Sequence, residues 1–122
     1  MQKGYTNYNT TLTGQNAEQL AALRLSKQGY NILARNYRAS RSEIDIIADY
    51  MGTIVFVEVK MRKSSAFGYP EQSVTAKKEE MVRRGAEAWM YENNWNGMIR
   101  FDIVAIEGEG LSPVFTHFED AF

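Results

Sequence analysis

The stretch Ser42-Glu43-Ile44-Asp45-Ile46-Ile47-Ala48, continuing through Asp49-Tyr50-Met51-Gly52 into Thr53-Ile54-Val55-Phe56-Val57-Glu58-Val59-Lys60, decides the reading of this chain. Two apolar runs rich in β-branched residues, Ile44–Ala48 and Ile54–Val59, flank a turn-like tetrapeptide, the pattern of a β-hairpin. Asp45, Glu58 and Lys60 stand within or beside those runs. Charged groups in such surroundings cost free energy unless they are paired, metal-bound or engaged in chemistry.

If Ala48 pairs with Thr53 across the turn, Asp45 faces Phe56. Alternation at period two then puts Glu43, Asp45, Phe56, Glu58 and Lys60 on one face of the sheet. Asp45 and Glu58 become diagonal neighbours, roughly 7 Å apart at the backbone. A slip of one residue would separate them across the sheet. Two carboxylates at that range repel, which favours a shared proton or a shared cation. A hard cation such as Mg²⁺ or Mn²⁺ takes oxygen ligands and keeps several waters. It can polarise a phosphodiester and acidify a bound water. Lys60 would hold the attacking water or offset charge developing on phosphate. The competing reading is a surface hairpin whose solvent face carries Asp45, Glu58 and Lys60 as an ion-pair ladder.

Outward from the hairpin, Met1 to Thr13 is polar and reads as a loose arm ahead of one domain, 14–122. Gly14 to Gln28 reads as a helix with Leu20, Ala21 and Leu23 on its apolar stripe and Gly29 as its stop. Tyr30 to Ala34 is a first strand, followed by a basic, loop-like segment, Arg35 to Arg41. Glu43 to Ala48 and Thr53 to Met61 are the second and third strands, and Lys63 to Pro70 is a loop. Glu71 to Asn93 reads as a longer helix, with Val74, Met81, Gly85, Ala88 and Trp89 at helical spacing. Ile99 to Ile106 is a fourth strand and Val114 to Phe118 a candidate fifth. The order α-β-β-β-α-β indicates an α/β domain, a mixed sheet flanked by helices.

Composition narrows the function classes. The chain has 122 residues, is 44% hydrophobic and contains no cysteine, which excludes disulfides, thiolate metal sites and a cysteine nucleophile. It shows no apolar run near the roughly 20 residues of a membrane span and no secretory leader pattern, so the cytoplasm is the default compartment. The net charge is −1, yet residues 24–84 hold 12 Lys/Arg against 7 Asp/Glu, whereas residues 85–122 hold 1 against 7. A local basic field permits phosphate binding within an acidic total.

Three segments carry a resemblance: Gly29-Tyr30-Asn31-Ile32-Leu33-Ala34-Arg35-Asn36-Tyr37-Arg38, Ser42-Glu43-Ile44-Asp45-Ile46-Ile47-Ala48, and Val55-Phe56-Val57-Glu58-Val59-Lys60-Met61-Arg62. Together with Arg100-Phe101-Asp102-Ile103-Val104-Ala105-Ile106 and Ala121-Phe122, they resemble the bacterial YraN family across roughly Gly14 to Phe122. That family is grouped with the PD-(D/E)xK restriction-endonuclease-like nucleases and is similar to archaeal Holliday-junction resolvases. The resemblance implies that Asp45 is the motif's metal-binding Asp, Glu58 its second acidic ligand and Lys60 its lysine. It also implies that Glu18, on the first helix, completes the metal site. Ser42 stands where the family usually has Gly, which bears on strand entry and on the approach of a substrate backbone.

Arg35, Arg38 and Arg41, interleaved with Asn36 and Tyr37, suit phosphate contact and base stacking, or else a solvated loop. Arg62 and Lys78 join them as candidate phosphate contacts. Lys77, Arg83 and Arg84 belong to the same helix as Lys78, whose plain reading is a solvated face. Gln72 and Lys78 lie where related nucleases often place a polar residue beside the site, and Glu43 is a further acidic candidate. His117 is the only histidine. It reads as structural, and the lack of others argues against a zinc site or a histidine base. The expectation is a Mg²⁺- or Mn²⁺-dependent endonuclease acting on nucleic acid, with DNA favoured and branched or junction DNA among the candidate substrates. A resolvase-like role would favour a homodimer. The alternatives are a nucleic-acid-binding module that keeps the fold without turnover, and a scaffold protein with no nucleic-acid partner.

Overall fold

The computed structural model describes residues 14–62, 75–108 and 113–122. The order is α1 (Gly14–Lys27), β1 (Asn31–Ala39), β2 (Ser42–Tyr50), β3 (Thr53–Arg62), α2 (Ala76–Glu92), β4 (Ile99–Glu107) and β5 (Val114–Phe118). The arm 1–13, the loop 63–70 with Gln72 and Val74, and the start of the expected second helix lie outside the described residues. The five strands form one mixed sheet in the order β1-β2-β3-β4-β5. Every neighbouring pair is antiparallel except β3 and β4, which are parallel and joined through α2.

A helix covers each face. Ala17, Ala21, Ala22 and Leu25 of α1 pack on Ile46, Val55, Val57, Val104 and Ile106. Small residues on that helix let it approach the sheet closely, and Leu23, expected on the apolar stripe, points outward at 54% exposure. On the other face Val82, Ala86 and Trp89 of α2 meet Ile44, Ile47, Ile54, Phe56 and Phe101. The inward stripe is therefore turned by one residue from the expected Met81 and Ala88, and Val82 and Ala86 are the fully buried pair. Trp89 packs edge-on against Phe56, with ring centroids 5.9 Å apart. Gly85 brings α2 against β2: a Cβ there would lie 3.1 Å from Ser42 Cβ and 3.2 Å from Ile44 Cδ1.

Two expectations for the first half of the sheet are corrected. The basic segment after Ala34 is strand, because β1 runs on through Arg35 and Arg38 and pairs Arg35 with Ile46 and Arg38 with Glu43. The hairpin register also differs from the one that sets Asp45 against Phe56. Tyr50 pairs with Thr53 and Ile47 with Phe56. Met51 (φ 51°) and Gly52 (φ 90°) form a two-residue turn. Positive φ at both positions is the type I′ geometry whose twist matches the strands. Asp49 Oδ1 accepts from Gly52 N at 3.0 Å and braces the turn.

A buried polar clasp ties β4 to β5 and to the chain after it. Asp102, fully buried on β4, accepts from Arg100 Nε (2.9 Å) and Nη2 (2.7 Å), His117 Nε2 (2.7 Å) and Asp120 N (2.9 Å). Arg100 also donates to Tyr30 Oη at 2.7 Å. His117 thus has a structural partner, as its surroundings in the sequence suggested.

Candidate metal and phosphate site

The sheet forks at the acidic residues. β2 and β3 pair from Tyr50↔Thr53 to Ile46↔Val57, and there the ladder ends. Beyond it, Ser42 to Ile44 pair with β1, while Glu58 to Arg62 pair with β4. Continued past its last pair, the register would set Asp45 opposite Glu58. The pleat also breaks at this point. Ile44 and Ile46 would share a face in regular alternation, yet Ile44 packs under α2 and Ile46 under α1. Between the pairs Tyr37↔Ile44 and Arg35↔Ile46 stand Asp45 and Asn36, and Asn36 has a left-handed φ of 52°. Asn tolerates that region better than most residues.

Asp45 fills the fork. Its Oδ2 accepts from Val59 N at 2.8 Å, doing for β3 what a backbone carbonyl would do in an unbroken ladder. Glu58 follows Phe56 onto the α2 face of the sheet and is 2% exposed. Its Oε1 lies 3.5 Å from Lys78 Nζ. Its Oε2 is buried without a hydrogen-bond partner. An orphaned carboxylate oxygen is expensive, and burial first, then the Asp45 charge, raises the Glu58 acid to about 7 against the pull of Lys78 and Lys60.

Glu18 comes to the same place from α1. Burial, then the charge of Asp45 and a hydrogen bond to it, raises the Glu18 acid, with Arg35 opposing. Burial likewise raises Asp45, against the Val59 amide, Lys78 and the Glu18 hydrogen bond. The two acids are thus close enough to share a hydrogen bond. Glu43 adds negative charge to both. Its own carboxylate lies 3.6 Å from Arg38 Nη2, an exposed contact of little energetic weight.

Asp45, Glu58, Lys60, Glu18, Arg35 and Lys78 are thus neighbours in charge and space, drawn from β2, β3, α1, β1 and α2. Arg38 is exposed on β1 beside Glu43, and Arg41 is exposed in the turn before Ser42. Arg62 ends β3, opposite Glu107. Gln72 lies outside the described residues. The sequence places Lys78 both as a phosphate contact and as a polar residue beside the site, but it does not reveal the hold of Lys78 on Glu58. The available signal was Thr75, whose Oγ1 accepts from Lys78 N at 3.2 Å and so caps α2. The cap fixes Lys78 in the first turn.

Among the described residues, no group of three or more His, Asp or Glu side chains is gathered closely enough to hold a metal ion. The electrostatic couplings nonetheless link Glu18 to Asp45 and Asp45 to Glu58. Both observations hold because the acids are engaged pairwise, Glu18 with Asp45 and Glu58 with Lys78. The donor set still fits a hard cation. It consists wholly of oxygens, and one buried oxygen, Glu58 Oε2, lacks any partner.

The model of the uncharacterised protein family UPF0102 matches residues 17–106. A UPF0102 protein of Cytophaga hutchinsonii is 48% identical over 94 residues, covering 77% of this chain and 83% of the relative. One of Trichlorobacter lovleyi is 44% identical over 112 residues, covering 89% and 88%. One of Alkaliphilus oremlandii is 42% identical over 114 residues, covering 89% and 96%. The matched span runs from α1 to β4 and includes Glu18, Asp45, Glu58, Lys60 and Lys78, and the chain belongs to the UPF0102 family.

Proposed function

We propose that this protein is a Mg²⁺- or Mn²⁺-dependent endonuclease of the PD-(D/E)xK, restriction-endonuclease-like kind, acting on nucleic acid with DNA as the favoured substrate. The observation that carries this reading is the meeting of Asp45, Glu58 and Lys60 at the fork of β2 and β3, with a buried, unpartnered oxygen on Glu58. The resemblance to the YraN family and its relatives supports the same roles.

Asp45 and Glu58 would hold the cation, with Glu18 as a third carboxylate reached from α1. When bound, the ion would polarise the phosphodiester and acidify a water. The chain's own contributions are positional. The Val59 amide fixes Asp45 Oδ2, so this ligand is set before substrate arrives. Lys60, one alternation along the strand from Glu58, is placed to orient the water or to neutralise charge growing on phosphate. Arg35, Arg38, Arg41 and Arg62 supply positive charge on β1, its turn and the end of β3, the approach that a phosphate backbone would take.

The test is cleavage of branched, duplex and single-stranded oligonucleotides with and without Mg²⁺ and Mn²⁺. Metal-dependent cutting by the wild type, lost in Glu58→Ala, is expected. No cutting of any substrate, or equal cutting by the variant, rejects the enzymatic reading. A second reading, nucleic-acid binding without turnover, is favoured by the pairwise engagement of the acids. It would show as salt-dependent retention in gel shifts that depends on Arg35 and Arg38 but not on Glu58.

A further inference from the structure

Lys78 occupies a position that helix electrostatics disfavours. It is the third residue of α2, directly after the Thr75 cap, where the amide dipoles leave partial positive charge and a cation is unfavourable. Its side chain is 42% exposed, so it has access to water, yet its ammonium turns inward to Glu58 Oε1 at 3.5 Å. Its charge also acts on Asp45. What holds it there is the acid cluster. Opposite it, Glu58 Oε2 has no partner.

We propose that Lys78 is the resident cation of this site, holding the place between Glu58 and Asp45 that a divalent ion takes and leaving when that ion binds. This inference rests on the metal-site reading above and adds a competitor for the site. The argument is electrostatic. An ammonium and a divalent ion on the same carboxylate repel across a short gap of low effective dielectric, so the site does not favour both at once. Lys78 is the one able to leave. It sits on a flexible four-carbon stem already open to solvent on one side, whereas Asp45 and Glu58 are fixed by strands. Once displaced, its charge remains in the first turn of α2, near the carboxylates that would hold the ion.

A placeholder of this kind keeps the metal-free fold intact, because Glu58 is never left wholly uncompensated. It also weakens metal affinity by the free energy needed to dislodge it. Removing the charge should therefore tighten metal binding, the reverse of what loss of an ordinary structural ion pair would do.

The experiment is Mn²⁺ titration of the full-length protein by calorimetry and by electron paramagnetic resonance of free Mn²⁺, comparing wild type, Lys78→Met, Lys78→Gln and Lys78→Arg. Lys78→Met and Lys78→Gln are expected to bind Mn²⁺ at least about tenfold more tightly than wild type. Lys78→Arg should stay near the wild-type value. Circular dichroism confirms which variants are folded, and Lys78→Gln serves if Lys78→Met is not. Wild-type binding that the folded neutral variants match or fall below overturns the placeholder and leaves the metal site standing. Absence of Mn²⁺ binding in the wild type and in every folded variant overturns both.

Discussion

Asp45 Oδ2 accepts the Val59 amide at 2.8 Å, so the acid that terminates the β2–β3 ladder also substitutes for it. The bond and the charge are separable. Asp45→Asn keeps an acceptor for Val59 and removes the charge, whereas Asp45→Ala removes both. Asp45→Asn should retain most of its stability and lose metal-dependent cleavage by about two orders of magnitude or more. Asp45→Ala should lose the same activity and roughly a further 1 kcal/mol of stability. Urea unfolding alongside cleavage rates checks this, and equal stability of the two variants would show that the Val59 bond contributes nothing.

Glu58 makes stability depend on pH in a direction opposite to that of most carboxylates. Burial, then Asp45, raises its acid to about 7 from an ordinary 4.5. Its protonated form is the one the fold prefers. The stabilisation is complete below about pH 4.5 and is lost as pH rises through about 7. Glu58→Gln, neutral at every pH, should match wild type near pH 5 and exceed it at pH 8 by on the order of 2 kcal/mol. Chemical denaturation at both pH values decides it. A variant less stable than wild type at pH 8 would mean that the ionised, Lys78-paired form is the favoured one.

On the proposed reading the exposed arginines serve affinity and not folding. Arg35→Ala and Arg38→Ala should leave the unfolding midpoint within about 0.5 kcal/mol of wild type. Each should weaken nucleic-acid binding and flatten its salt dependence by about one phosphate contact. Binding titrations at several salt concentrations provide the measurement, and an unchanged slope would remove these residues from the interface.

Much of this was legible in the sequence because period two survives a wrong turn. The Ala48↔Thr53 pairing expected from the sequence and the observed Tyr50↔Thr53 pairing differ by two residues. Face assignments along β3 therefore agree, and Glu58 and Lys60 stay together. The pleat break at Asp45 could not be read, because it depends on Asn36 adopting a positive φ on a neighbouring strand. Arg35 to Arg41 looked like a loop because its polar residues mask the alternation of Ala34, Tyr37 and Ala39. A strand at the edge of a sheet needs few buried side chains, so composition says little about it. The grip of Lys78 on Glu58 escaped for a related reason, since the two lie on different elements and ion pairs distant in sequence leave no spacing to detect.

Asp102 was also invisible as a key residue, since one acid in Arg100-Phe101-Asp102-Ile103 reads as an outward position on a strand. Burial alone would raise its acid, but hydrogen bonds from His117, Arg100 and the Asp120 amide outweigh that and hold it below the ordinary 3.8. This stability is present above about pH 3.8 and is lost as pH falls through the lower folded value. Asp102→Asn would leave the largely buried Arg100 with only the longer contact to the exposed Glu119, 3.7 Å away, and should cost about 3 kcal/mol. Denaturant titration at pH 7 tests the size.

The last prediction concerns Ser42 and Gly85, which meet where α2 crosses β2. Ser42 is 6% exposed, and an added Cβ at position 85 would stand 3.1 Å from its Cβ and within 3.2 Å of Ile44. Gly85→Ala gains up to about 1 kcal/mol of helix propensity but must push β2 or α2 aside. The neighbours are a short Ser side chain and a fully buried Ile, so there is little room to yield, and a net loss of about 1–2 kcal/mol is expected. Ser42→Gly removes the nearest contact. In that background Gly85→Ala should cost at least about 1 kcal/mol less, a coupling that a double-mutant cycle of unfolding free energies measures directly. Additive effects would show that Ile44, not Ser42, sets the helix–strand distance. In that case Gly85→Ala should shift the Ile44 methyl resonances equally in both backgrounds.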